Sequence, residues 1–198
     1  MKREYLGDCS DFYKRWFLAE SFPGTQLGAI PMLTDEWDDN DADLYSRLLG
    51  VEVIQRETLP NRCPQDPVRV EYFQVALNDL SRDIFLDPDT GLRIGDPPRR
   101  RRFDEYLFAS ELSEILCPRE SRRVAIIYDQ SIARGNEVGY MQQKVSDLYE
   151  LGLFALAYCA QVAMVAVSRC DERIHQLHQA VTQLAYLPGD RVVSNIPS

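Results

Sequence analysis

Two uninterrupted apolar runs constrain the fold of this chain most strongly. They are "RVAIIYD" (Arg123 to Asp129) and "QVAMVAVS" (Gln161 to Ser168), and neither alternates between apolar and polar residues. Such runs predict strands that are covered on both faces, as in a parallel sheet. "LGAIPML" (Leu27 to Leu33) and "DIFLD" (Asp83 to Asp87) predict two more strands of the same kind.

The segments between and after these strands show helical spacing. One helix is predicted from Val138, Met141, Val145 and Leu148, and a second from Ile174, Leu177, Val181 and Leu184. A third is predicted over Phe103 to Leu116, and "DRVVS" near residue 192 predicts a short edge strand. This alternation predicts one α/β domain over residues 1–198, with a doubly wound, mostly parallel, Rossmann-like sheet.

Composition excludes several classes of protein. No apolar stretch approaches the roughly 20 residues that span a bilayer, and no signal-peptide pattern is visible, so we expect a cytoplasmic protein without a membrane partner. The five cysteines form no C-x-x-C pair, which favours reduced thiols over a disulfide frame or a zinc site. With only two histidines, catalysis is expected to depend on carboxylates, and no metal ligands are assigned.

Acidic residues follow three of the predicted strands. Asp35 follows the first strand, Asp87 and Asp89 follow Leu86, and Asp129 follows Ile127. Ligands of open α/β sheets bind beyond the carboxyl ends of the strands, so these residues are predicted to share one cleft. Clustered carboxylates hold Mg²⁺ or act as acid and base, although aspartate also caps helices and forms turns.

The stretch "FLDPDTGL" resembles the D-P-P-[YFW] motif of class I S-adenosylmethionine-dependent amino-methyltransferases. Asp87 and Pro88 match it, whereas Asp89 and Thr90 replace the second proline and the aromatic residue. The resemblance implies a methyltransferase-type fold in which Asp87 accepts a hydrogen bond from the target amine. It also implies that Pro88 stiffens the loop and that Asp89 belongs to the catalytic segment.

A second resemblance lies near the beginning of the chain. "LGDCSDFYKRWFL" is similar to the G-N-H-A-D-x-x-K-H segment of bacterial ribosomal-RNA adenine methyltransferases, with matches at Gly7, Asp11 and Lys14. It implies S-adenosylmethionine as cofactor. The residues assigned to the cofactor are Gly7, Asp8, Asp11, Lys14 and Asp35. The chain departs from those enzymes after the first strand, where "PMLTDEWDDNDAD" has no glycine turn.

The substrate is expected to be a nucleic acid or a nucleotide. "RRRR" (Arg99, Arg100, Arg101 and Arg102) follows the aspartate motif, and arginine forks suit phosphates, although a solvated loop is the other interpretation. Asp129 is assigned to the substrate as well. The net charge of −9 argues against broad nucleic-acid coating.

Two other functions stay open at this point. The spacing of Asp87 and Asp89 also resembles the D-x-D loop of haloacid-dehalogenase-type phosphotransferases, which predicts a Mg²⁺-dependent phosphoryl-transfer or nuclease-like enzyme. A non-catalytic interaction module is the third hypothesis. The apolar stretch at residues 152–168 indicates core or an interface with a protein partner or a homo-oligomer. The motifs also look like those of uncharacterised bacterial proteins with a "FLDPDxGL" centre.

Overall fold

Seven strands form one central sheet in the computed structural model, which describes residues 1–78, 80–95, 102–117, 121–132, 135–160, 162–184 and 187–196. The strand order is β2-β1-β3-β6-β8-β7-β9. The strands are β1 (Gly28–Ile30), β2 (Glu52–Val53), β3 (Ile84–Leu86), β6 (Val124–Asp129), β7 (Phe154–Cys159), β8 (Ala163–Ser168) and β9 (Val192–Ser194). β4 (Gly91–Arg93) and β5 (Tyr106–Phe108) form a separate parallel pair.

The sheet is mixed but mostly parallel. Strands β2, β1, β3 and β6 pair in parallel, whereas β8 runs antiparallel to both β6 and β7, and β9 runs antiparallel to β7. Five of the seven strands therefore point in one direction. This arrangement is compatible with a Rossmann-like fold.

Helices cover both faces of the sheet. Buried apolar side chains of α1 (Cys9–Ser21), α2 (Asp39–Leu49) and α6 (Asp171–Thr182) pack on one face. Those of α3 (Pro67–Gln74), α4 (Ala109–Ile115) and α5 (Glu137–Glu150) pack on the other. Because both faces are covered, the central strands β3 and β6 are buried along their whole length, as their apolar sequences predict.

Most predicted elements are confirmed. The four predicted strands become β1, β3, β6 and β8, and "DRVVS" forms the edge strand β9. The predicted helices after residues 137 and 171 are α5 and α6. All five cysteines are free thiols, as expected. Within the described ranges, no helix has the length and apolar character needed to cross a bilayer.

Two predictions differ from the structure. The last apolar run is not a parallel strand but half of a β7–β8 hairpin, because an apolar sequence reports burial on two faces rather than strand direction. The expected helix over Phe103 to Leu116 is wrong in its first half. Tyr106–Phe108 pairs with Gly91–Arg93 as β5, so the helix begins only at Ala109.

Candidate active site at the end of strand β3

Asp87 lies directly after β3 and is buried, with 1% of its surface exposed. Its backbone N–H donates to the carbonyl of Ile30 in the neighbouring strand at 3.1 Å. Lys14 Nζ and the Tyr45 hydroxyl both donate to Asp87 Oδ2 at 2.7 Å. Among the described residues, no group donates to Asp87 Oδ1. The carboxylate is therefore fixed through one oxygen and keeps the other as an acceptor.

Lys14 connects Asp87 to the beginning of α1. Its ammonium group also pairs with Asp11 Oδ1 at 3.1 Å and lies 4.4 Å from the centre of the Tyr128 ring. Asp11 Oδ2 accepts the N–H of Gly7 at 2.7 Å, and Asp8 caps the helix through Ser10 N and Asp11 N. The predicted cofactor residues Gly7, Asp8, Asp11 and Lys14 thus form one structural unit.

Burial and charge act in opposite directions on this unit. Burial alone lowers the pKa of Lys14, but the carboxylates of Asp87 and Asp11 raise it above its ordinary value. Burial raises the pKa of the Asp11 carboxyl, and Lys14 opposes that shift only in part. The pKa of Tyr45 is raised well above 10.0 by burial and by the adjacent Asp87 charge. Lys14 therefore stays protonated and Tyr45 stays a neutral donor at ordinary pH.

A cavity of about 360 Å³ opens beside this unit. Five predicted site residues line it: Asp8, Lys14, Asp87, Pro88 and Asp89. Met1, Lys2, Tyr5, Ser10, Tyr128 and Gln130 complete the lining, so the cavity combines three carboxylates, two lysines and two aromatic rings. Its volume is in the range of small-molecule sites, roughly 300–1,000 Å³. We call it the Asp87 cavity.

Tyr45 and Tyr128 were not predicted as site residues. Tyr45 reaches Asp87 from α2, 42 positions earlier in the chain, and no motif marks it. Tyr128 could have been found from its place in the strand. It lies one residue before Asp129 on a central strand, where alternation sends it to the face opposite to that of Asp129.

Asp35 is held outside the Asp87 cavity. Both of its carboxylate oxygens accept the N–H of Arg3, at 3.1 and 3.0 Å. The amino group of Met1 donates to the carbonyl of Met32, and Thr34 N–H donates to the carbonyl of Met1. The segment after β1 therefore contacts residues 1–3, and Met32 takes a φ of 51° there instead of a glycine.

Asp129 lies on the other face of the sheet. The register pairs Leu86 with Ile127, so Asp87 lies beside Tyr128, and Asp129 points to the opposite face. Its carboxylate pairs with Lys144 Nζ at 2.5 Å and accepts the Ser131 hydroxyl at 2.6 Å. The structure therefore brings Asp87 and Asp89 to one cavity and leaves Asp35 and Asp129 out of it.

No family model, no curated protein and no solved structure matches the chain.

The remaining predicted residues contribute less to this geometry. Arg99, Arg100 and Arg101 lie outside the described residues. Arg102 is exposed and pairs with Glu105 at 2.6 Å. Within the part of the chain that the structure describes, no group of three or more histidine, cysteine, aspartate or glutamate side chains is arranged to hold a metal ion. The Mg²⁺-dependent alternative stays a prediction without a ligand set.

Proposed function

We propose that this protein is a methyltransferase-type enzyme that binds S-adenosylmethionine in the Asp87 cavity and acts on an amino group of a nucleic acid or nucleotide. One observation carries the proposal. Asp87 is held rigidly through Oδ2 by Lys14 and Tyr45, at the carboxyl end of a central strand, with Oδ1 left as an acceptor. Ligands of open α/β sheets bind at this edge.

The lining of the cavity suits the charges of the donor. S-adenosylmethionine, when bound, supplies a methyl group attached to a positively charged sulfur. Asp8, Asp87 and Asp89 offer negative charge to its sulfonium and amino groups, while Lys2 offers positive charge to its carboxylate. Tyr5, which is exposed, offers aromatic surface to its adenine ring. The residues present therefore fit the cofactor, although the glycine turn after β1 is replaced.

The residues of the chain have distinct roles in this proposal. Asp87 Oδ1 accepts a hydrogen bond from the target amine, which orients its lone pair. Lys14 and Tyr45 position Asp87 through their hydrogen bonds to Oδ2. Pro88 limits the movement of the loop because its ring fixes φ. Asp89, half-buried at the cavity, takes the proton that the methylated amine releases.

Calorimetric titration with S-adenosylmethionine tests the proposal. We expect micromolar binding by the unmodified protein and at least tenfold weaker binding by Asp87→Asn, because the substitution removes from the cavity a negative charge that attracts the cationic donor. Asp83→Asn is the matched control. Asp83 is a buried aspartate at the other end of β3, where it accepts Val124 N–H and pairs with Arg173. This variant should bind the donor like the unmodified protein.

Two results would contradict the proposal. One is the absence of binding by the unmodified protein at millimolar donor. The other is equal affinity for Asp87→Asn and the unmodified protein. Mg²⁺ binding that is lost in Asp87→Asn, without any donor binding, would support the phosphoryl-transfer alternative instead.

A further inference from the structure

A second cavity, of about 500 Å³, lies beside Lys144 and Asp129. We infer that it binds the base of a guanine nucleotide. Residues of β4, β5 and α5 line it, including Arg93, Tyr106, Tyr140, Gln143 and Asp147. None of these residues belongs to the Asp87 cavity, and the inference does not depend on S-adenosylmethionine binding. We call it the α5 cavity.

Aromatic surface and positive charge occur together in the α5 cavity. The Arg93 guanidinium lies over the Tyr106 ring, 5.5 Å from its centre. Tyr140 is 39% exposed, and Lys144 Nζ lies 5.2 Å from the centre of its ring. The Lys144 ammonium is already bonded to Asp129, Ser131 and the Leu92 carbonyl, so the Arg93 guanidinium is the cation that suits a phosphate. An exposed ring on which a base stacks, together with such a cation, is a usual component of nucleotide sites. Tyr140 is therefore a stacking surface for a planar base.

Polar groups on α5 favour guanine over adenine. Gln143 Nε2 donates to Asp147 Oδ1 at 2.8 Å, and none of the described residues donates to Asp147 Oδ2. That oxygen is an acceptor at the cavity. Guanine presents two N–H donors side by side on one edge, whereas adenine presents one amino donor beside a ring-nitrogen acceptor there. A carboxylate oxygen accepts from both guanine donors, but at adenine it accepts only from the amino group and is repelled by the ring nitrogen.

A thin partition separates the two cavities. Asp89 and Gln130 line the Asp87 cavity, whereas the next residues, Thr90 and Ser131, line the α5 cavity. Gln130 N–H donates to the Thr90 carbonyl at 2.9 Å, which ties the two segments together. A nucleotide held by its base in the α5 cavity would therefore lie close to the Asp87 cavity without entering it.

Titration calorimetry on the full chain with 5′-GMP and with 5′-AMP tests this inference. We expect GMP to bind at least tenfold more tightly than AMP. Tyr140→Leu should weaken GMP binding about tenfold because the stacking surface is lost. Asp147→Asn should remove most of the preference for GMP. The control is Tyr149→Leu, because Tyr149 is also exposed on α5 but does not line the cavity.

The inference is overturned if GMP does not bind, if AMP binds equally well, or if Tyr149→Leu weakens binding as much as Tyr140→Leu. Thermal unfolding of each variant identifies any loss that comes from misfolding. A guanosine-containing trinucleotide distinguishes the sources of the base: tighter binding than GMP indicates a nucleic-acid segment, and equal binding indicates a free nucleotide. Tyr140→Leu should bind S-adenosylmethionine as tightly as the unmodified protein does, which shows that the α5 cavity and the Asp87 cavity are separate sites.

Discussion

Two buried lysines each pair with an aspartate at the end of a central strand. Lys14 of α1 pairs with Asp87 on one face of the sheet, and Lys144 of α5 pairs with Asp129 on the other. The chain contains only three lysines, whereas its other basic side chains are arginines. Removing one partner of a buried pair typically costs about 3–5 kcal/mol because a charge stays buried alone. Both pairs therefore fix a strand end to a helix.

Position 91 requires glycine because any side chain there would collide with Asp129. Its φ is +142°, and a Cβ at this position would lie 2.1 Å from Asp129 Oδ1. Gly91→Ala should therefore displace Asp129 and destabilise the protein by about 3 kcal/mol or more. Gly95→Ala is the matched control, because Gly95 also has a positive φ of +89° but no described residue lies within 4 Å of its Cβ position.

Urea unfolding of the two glycine variants measures this contact. The control should lose only about 1–2 kcal/mol, which is the cost of backbone strain. The difference between the two variants is then the cost of displacing Asp129. Equal losses would show that Gly91 serves only the turn.

Tyr45 predicts a specific dependence of stability on pH. Burial and the Asp87 charge raise its pKa in the folded protein, whereas in the unfolded chain the pKa is near 10.0. A group with a raised folded pKa stabilises the protein fully below its unfolded pKa and loses that effect as the pH rises. The stability advantage of the unmodified protein over Tyr45→Phe should therefore shrink above pH 10, by about 1.4 kcal/mol per pH unit.

Urea unfolding of both proteins between pH 8 and pH 11 gives this difference. Below pH 9 it should be constant, because neither state ionises Tyr45 there. A difference that stays constant up to pH 11 would mean that Tyr45 titrates alike in the folded and unfolded chains.

At the residue scale, the sequence predicts some of the site. Asp87 could be found because an apolar run ends on it and proline follows. Lys14 could be found only through its resemblance to a motif. Tyr45 could not be found, because its role arises from a contact between distant parts of the chain. The positions of Asp35 and Asp129 relative to Asp87 were also not predictable, since each depends on partners that tertiary packing supplies.

At the scale of elements, the acidic segment after β1 is the beginning of a helix. Asp38 accepts the N–H of Asp41 at 3.0 Å, and Asp41 accepts the N–H of Asp38 at 3.0 Å, which forms a capping box for α2. Gly50 ends the helix with a φ of 72°. The segment is thus ordered by its own hydrogen bonds, and its negative charges interact favourably with the positive end of the helix dipole.

The cap of α2 gives a prediction about stability. Asp38→Ala should destabilise the protein by about 1 kcal/mol in urea unfolding, because the Asp41 N–H loses its side-chain acceptor and Arg3 loses an exposed ion pair. Asp39→Ala is the control, since that neighbouring side chain is 92% exposed and pairs only with a half-exposed Arg56. Its loss should be at most about 0.5 kcal/mol. Equal effects of both substitutions would contradict the capping role.

Local patterns predict elements well where tertiary contacts agree with them. α5 and α6 have clear helical spacing, and β6 has a clear apolar run. The segment Tyr106–Phe108 is different, because it takes strand geometry only through pairing with Gly91–Arg93. Similarly, β7 and β8 pair in antiparallel fashion, and Ala160 N–H donates to the Val162 carbonyl next to them. Such pairings are absent from any local pattern.

At the scale of the whole molecule, the sheet places one cavity on each side of the segment that follows β3. The face that carries α1 and α2 holds the Asp87 cavity, and the face that carries α5 holds the α5 cavity. Strand alternation causes this division, because Asp87 and Asp129 end neighbouring strands but point to opposite faces. The α/β class could be predicted from the sequence, whereas this division needed the strand register.

A crystal structure of the protein co-crystallised with S-adenosylmethionine would test the central claim most directly. We expect density for S-adenosylmethionine in the Asp87 cavity, with its methyl-bearing sulfur beside Asp87, with Oδ1 left open for the target amine, and with Lys14 and Tyr45 still bound to Oδ2. Density for S-adenosylmethionine at any other place, or an Asp87 cavity that stays empty at saturating S-adenosylmethionine, would contradict the proposal.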